Sequence, residues 1–77
     1  MSFTQMIRNA IVDGRNVRVP DNPTASDLIT AAGETPESRD LVLSRPDGSV
    51  DIIKPSRRVK LRDGDVFETQ ISGSGGF

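Results

Sequence analysis

Cysteine, histidine, tryptophan and tyrosine are all absent from this chain of 77 residues. Without cysteine there is no disulfide framework, no thiol nucleophile and no thiolate ligand for a metal. Without histidine the chain lacks the commonest metal ligand and the commonest general base of enzymes. These absences exclude most catalytic and metal-binding chemistry. We therefore expect a protein that is not an enzyme and that needs no cofactor or metal.

The chain also lacks an excess of charge of one sign, because it has 10 basic and 11 acidic residues and a net charge of −1. This balance argues against electrostatically driven binding of nucleic acid, and the three aromatic residues, Phe3, Phe67 and Phe77, form no base-stacking platform. No apolar stretch approaches the roughly 20 residues of a membrane span, and the first residues lack the apolar core of a signal peptide. We expect a soluble cytoplasmic domain that binds neither nucleic acid nor membrane.

The first half of the chain predicts a hairpin. Asp13-Gly14 separates the β-prone residues 3–12 from the alternating residues 17–19. Asp-Gly between two such runs is the strongest short-range hairpin signal. The apolar residues of the first run do not alternate cleanly, so the sequence leaves open which of them face the core.

A helix is predicted over residues 24–32. Thr24 is the expected N-cap, and Asp27 three residues later completes a capping box with Asp in place of Glu. Gly33 is a natural residue to follow the end of the helix. The helix is short, so its packing must stabilise it.

The second half of the chain predicts two more turns and three more strands. A Pro-Asp-Gly turn at 46–48 joins an apolar strand at 41–43 to a returning strand at 50–53. An Asp-Gly-Asp turn at 63–65 precedes the last strand, Val66–Ile71. A chain of this length forms one domain.

The order hairpin, helix, hairpin, strand predicts an α+β fold in which one helix packs on a mixed sheet of four to five strands. For the last strand to pair on both sides, it must lie centrally between the outer pairs. That arrangement is the β-grasp.

A glycine-rich segment follows the last predicted strand, and it reads Ser72-Gly73-Ser74-Gly75-Gly76-Phe77. Six extended residues reach about 20 Å, and glycine adds no Cβ that would clash with the walls of a narrow active site. We expect a folded domain over residues 1–71 and a flexible tail over 72–77. The alternative interpretation is a disordered Gly/Ser terminus without a function.

With these elements in order, the chain resembles the ubiquitin-like proteins over essentially its whole length. The helix that leads through Gly33 to Pro36 resembles the helix–Gly–x–Pro exit of ubiquitin. Residues 61–65, followed after nine residues by Gly75-Gly76, resemble the ends of the sulfur-carrier proteins of thiamin and molybdopterin synthesis.

The opening hairpin, over residues 12–15 and 17–20, resembles most closely the bacterial ubiquitin-like domains found beside activating-enzyme, conjugating-enzyme and JAB-type metalloprotease partners. Sulfur carriers end in a bare Gly-Gly, whereas Phe77 follows it here. A residue after the diglycine is typical of modifier precursors, from which a peptidase removes it. This difference favours a protein modifier over a sulfur carrier.

The resemblance implies that the domain is the substrate of its partners. Phe77 would be removed by a JAB-type metalloprotease, and an ATP-dependent activating enzyme would adenylate the carboxylate of Gly76. A thioester, a conjugating enzyme and finally an isopeptide or similar bond to a target protein would follow. Gly75, which has no side chain, would keep the segment before Gly76 narrow enough to enter the active site.

Several alternatives stay open. Lys54 and Lys60 are possible acceptors of a second copy of the modifier, or they are simply solvated. The basic pair Arg57-Arg58 is too small for a nucleic-acid footprint and is a candidate contact for an acidic groove on an enzyme partner. The whole chain could instead be a sulfur carrier with a Gly76 thiocarboxylate, or a non-covalent β-grasp interaction module.

Overall fold

A computed structural model describes residues 7–72 of the chain. One helix and five strands follow in this order: β1 (Ile7–Val12), β2 (Arg15–Pro20), α1 (Ala25–Ala31), β3 (Arg39–Ser44), β4 (Val50–Ile53) and β5 (Val66–Ile71). The strands form one sheet in the order β2-β1-β5-β3-β4, in which β1 and β5 are parallel and the other neighbours antiparallel. The predicted α+β class, with one helix, a mixed sheet and a central last strand, is confirmed. Within residues 7–72, no helix has the length and apolar character needed to cross a membrane.

The first predicted hairpin is confirmed at Asp13 and Gly14, whose φ angles are 54° and 78°. Positive φ at both central residues is the requirement of a type I′ turn, which Asp-Gly satisfies. The pairing runs from Val12↔Arg15 to Ile7↔Pro20. Residues 3–6, which we expected to belong to the first strand, lie outside the described residues.

The predicted capping box begins the helix. The Thr24 hydroxyl accepts the backbone N–H of Asp27 at 3.2 Å, and the Asp27 carboxylate accepts the backbone N–H of Thr24 at 2.9 Å. The predicted range 24–32 comprises the helix Ala25–Ala31 and its two cap residues. A helix of seven residues is marginal alone, and here burial stabilises it. Its buried residues are Ala25, Leu28 and Ile29.

Phe67 lies at the centre of the hydrophobic core and is only 1% exposed. The strand register places Val12 and Leu43 on either side of it, on the face of the sheet that the helix covers. Leu28 and Ile29 of the helix are fully buried in the same cluster. The central strand is therefore fixed by packing as well as by pairing with two neighbours.

The segment between β4 and β5 crosses the beginning of the helix. The backbone N–H groups of Ala25 and Ser26, which have no partner inside the helix, donate to the carbonyl oxygens of Arg57 at 2.8 Å and Pro55 at 2.9 Å. Val59 is buried in the core. These contacts hold the segment in place although it contains no long helix or strand.

Candidate functional site

The residues predicted to carry the chemistry, Gly75, Gly76 and Phe77, lie outside the described residues. The structure does describe the point from which this segment continues. Ser72 directly follows β5, and its surroundings define the attachment of the predicted tail to the domain.

Ser72, the first residue of the predicted tail, makes two hydrogen bonds to the domain. Its backbone N–H donates to the carbonyl oxygen of Ser38 at 2.8 Å, and its hydroxyl donates to Asp40 Oδ1 at 3.0 Å. The first of these bonds extends the pairing of β5 with β3 by one row beyond Ile71. The position of Ser72 is therefore set by the sheet.

Asp40 is the buried group of this site, with only 4% of its surface exposed. A buried carboxylate is costly unless it is paired and hydrogen-bonded. Here one oxygen accepts the Ser72 hydroxyl, and the other lies 3.1 Å from Lys54 Nζ. The predicted strand at 41–43 did not include Asp40, because a lone Asp beside an apolar run gives no sign of burial.

The two predicted acceptor lysines differ in their surroundings. Lys54 has a side chain that is 67% exposed, but its amine forms the ion pair with Asp40. Lys60 is exposed and forms no ion pair with any residue in the range 7–72. Of the two lysine amines, that of Lys60 is therefore the one that no ion pair within residues 7–72 restrains.

A second network holds the last part of β5 on the helix-covered face. β1 pairs with β5 in only two rows, of which the second is Val12↔Phe67. Directly after it, the Asp13 backbone N–H donates to the Phe67 carbonyl at 2.9 Å. Beyond this point the Asp13 carboxylate accepts the backbone N–H of Thr69 at 2.9 Å and its hydroxyl at 2.7 Å. Arg39 donates to the Thr69 hydroxyl at 3.2 Å and pairs with Glu34 at 3.1 Å. Sequence reasoning identified Asp13 as a turn residue only.

The predicted basic pair, Arg57 and Arg58, belongs to a larger cluster. A cleft of about 470 Å³ lies between β4 and the segment that follows it. Its basic residues are Arg45, Lys54, Arg57, Arg58, Lys60 and Arg62. Asp51 is the one carboxylate among the described residues that line it, and its hydrogen bond to Arg45 at 2.6 Å raises the pKa of that arginine. We call this feature the basic cleft.

Asp65 is the last residue of the predicted turn at 63–65, and its backbone N–H donates to the Arg62 carbonyl at 3.2 Å. It is 8% exposed, and its Oδ2 atom has no hydrogen-bond partner among residues 7–72. It borders a cavity of about 270 Å³. No group of three or more Asp, Glu, His or Cys side chains in the described part of the chain is arranged to hold a metal ion.

Comparison with protein-family models, with curated proteins and with solved structures gives no match to this chain.

Proposed function

We propose that the chain is a ubiquitin-like protein modifier with the β-grasp fold, and that the carboxylate of Gly76 is its reactive group. The fold part of the proposal is supported by the element order, in which one helix lies between two hairpins. It is also supported by the position of β5, which lies between β1 and β3 although it is the last of the described strands along the chain.

The observation that carries the functional proposal is the sequence Gly75-Gly76, whose second glycine lies four residues after the anchored Ser72. With the intervening backbone extended, Gly76 reaches at most about 14 Å beyond Ser72. The active site of a partner that binds the domain surface must therefore lie within this distance of Ser72. The folded body supplies recognition, and the glycine residues supply access to a narrow active site.

The proposed chemistry begins when a JAB-type metalloprotease hydrolyses the peptide bond between Gly76 and Phe77. A carboxylate oxygen of Gly76 then attacks the α-phosphate of ATP in the activating enzyme and releases pyrophosphate. The thiolate of an enzyme cysteine attacks the resulting acyl adenylate and releases AMP, which leaves a thioester. A conjugating enzyme passes the acyl group to a nucleophile on a target protein. Because Gly76 has no Cβ, each attacking group meets little steric obstruction.

The test uses the chain ending at Gly76, ATP and an activating enzyme from the same organism. We expect a gel shift that disappears with reducing agent. Gly76→Val should abolish the shift, whereas the matched variant Gly73→Val should keep it, because only the first adds bulk beside the acyl carbon. Deletion of Gly75 and Gly76 shortens the reach by about 7 Å and should also abolish the shift. An undiminished thioester from this deletion variant would contradict the proposal.

The processing step has its own test. A chain that retains Phe77 should form no thioester until the metalloprotease has removed that residue. Thioester formation with Phe77 still attached would show that no processing is needed. Intact mass separates the alternatives: exchange of one oxygen for sulfur marks a sulfur carrier, and the absence of any covalent change marks a non-covalent module.

A further inference from the structure

The most uneven charge distribution in the described part of the molecule lies at the basic cleft. Six of the chain's 10 basic residues line it, with one of its 11 acidic residues. The rest of the chain therefore carries 4 basic and 10 acidic side chains, of which Asp40 and Asp65 are buried. A chain with a net charge of −1 thus presents one positive face, which attracts a negatively charged partner.

Half of the cations in the cleft are already engaged within the domain. Their partners are Asp51 for Arg45 at 2.6 Å, Asp40 for Lys54 at 3.1 Å and the carbonyl oxygen of Asn22 for Arg58 at 2.6 Å. Arg57, Lys60 and Arg62 are exposed and form no ion pair with residues 7–72. These three cations, spaced along one segment, are available to carboxylates of a partner.

The cleft also borders a free strand edge. β4 lies at one edge of the sheet, and β3 is its one partner among the described strands. The Arg45 N–H donates to the Ser49 carbonyl at 2.9 Å, so the alternation of an antiparallel ladder directs the N–H and C=O groups of Val50 and Ile52 away from β3. The side chains of Val50 and Ile52 are 59% and 61% exposed. This edge combines unpaired backbone groups with apolar side chains.

We propose that the basic cleft binds an extended acidic segment of a partner protein, which adds to β4 as a sixth strand. The backbone of the segment would pair with the free edge of β4. Its carboxylates would lie against Arg57, Lys60 and Arg62, and its apolar side chains against Ile52. A nucleic acid is a poorer fit, because no aromatic residue lines the cleft to stack on bases. The inference holds whether or not Gly76 is activated.

The test uses a dye-labelled, end-blocked peptide of alternating glutamate and valine, with its glutamine counterpart as the control peptide. Fluorescence anisotropy should report binding of the glutamate peptide only, and raising the ionic strength from about 0.01 M to about 0.5 M should weaken it. Amide signals of β4 and of residues 57–62 should shift in heteronuclear spectra. The amide hydrogens of Val50 and Ile52 should become protected from exchange.

Two double variants identify the surface. Arg57→Gln with Arg62→Gln should weaken binding about two- to fivefold for each cation removed. Arg15→Gln with Arg18→Gln removes the same charge from β2 at the opposite edge of the sheet and should leave binding unchanged. Lys60 is left unchanged in both double variants, because it is a possible acceptor of a second copy of the modifier.

Equal weakening in the two double variants would overturn the proposal, because it would mean that net charge alone attracts the peptide. No binding at low ionic strength would also overturn it, as would amide shifts confined to β2. Tighter binding of a single-stranded oligonucleotide of equal charge than of the peptide would assign the cleft to nucleic acid instead.

Discussion

The carboxylate of Asp13 accepts two hydrogen bonds from Thr69, one from its backbone N–H at 2.9 Å and one from its hydroxyl at 2.7 Å. Asp13 lies in the turn of the first hairpin, and Thr69 lies in the last strand. The Asp13 side chain therefore continues the pairing of β1 with β5 past the point where the backbone of β1 turns away. Through it, the first hairpin stabilises the strand that leads to Ser72.

The first prediction concerns Asp13. Asp13→Ala should lower the free energy of unfolding by about 1.5–3 kcal/mol, because it removes a charged acceptor from two donors and places alanine at a positive φ. Asp13→Asn should cost less, since its amide oxygen still accepts one donor and Asn tolerates positive φ. Asp13→Gly removes the carboxylate but tolerates the φ of 54°, so its loss of stability measures the contribution of the two hydrogen bonds without backbone strain. Urea unfolding measures all three, and an Asp13→Gly variant as stable as the unmodified chain would refute the role of the acceptor.

The second prediction compares two turn glycines with similar backbones. Gly64 has φ of 87° and Gly48 has φ of 92°, so alanine is strained at both, by about 1–2 kcal/mol. A Cβ at Gly64 would lie 2.9 Å from Pro46 Cγ, whereas a Cβ at Gly48 meets no atom within 4 Å. Gly64→Ala should therefore lose about 1 kcal/mol more than Gly48→Ala, a difference in Tm of about 4–8 °C. Equal melting temperatures would show that the Pro46 ring moves aside at no cost.

The third prediction concerns the two lysines. An N-hydroxysuccinimide acetate should acylate Lys60 about two- to fivefold faster than Lys54, because the ion pair with Asp40 must open before the Lys54 amine can react. Mass spectrometry of peptides gives both rates. Asp40→Asn should raise the rate at Lys54 and leave Lys60 unchanged. Ser72→Ala is the control, since it removes the other partner of Asp40 and keeps the ion pair. Equal rates in the unmodified chain would contradict the prediction.

The fourth prediction is a pH dependence that arises in the second hairpin. Asp47 Oδ1 accepts the backbone N–H of Ser49 at 2.8 Å and its hydroxyl at 2.7 Å. These hydrogen bonds lower the pKa of Asp47 from its ordinary value of 3.8. A carboxyl with a lower pKa in the folded state adds stability above its unfolded pKa, and this stability is lost as the pH falls through the folded pKa.

The urea midpoint should therefore fall when the pH is lowered from about 6 to about 3. Asp47→Asn keeps an acceptor oxygen but cannot titrate, so its midpoint should fall less over the same range. A variant with the same pH dependence as the unmodified chain would show that other carboxyl groups account for the whole effect.

The turns and the helix start were predictable because their signals are local. Asp13-Gly14 satisfies the backbone angles of its own turn, and Thr24 with Asp27 satisfies N–H groups within a single helical turn. Which side chains of β1 point into the core was not predictable in the same way. Ala10 and Val12 are buried while Ile7 and Ile11 are exposed, and residue type alone would have ranked the two isoleucines as the better core residues.

The sequence by itself determined the turns, the caps of the helix, the alternation of the last strand and the diglycine, because each depends on residues within a few positions of one another. Only the tertiary structure decided that Asp40 is buried between Lys54 and Ser72, and that Arg45 joins the cations of residues 54–62 in one cleft. Both arrangements depend on the order of strands in the sheet. In that order Phe67 is buried in the core at the centre of the sheet, and Asp40 lies beside Ser72, which is 32 positions further along the chain.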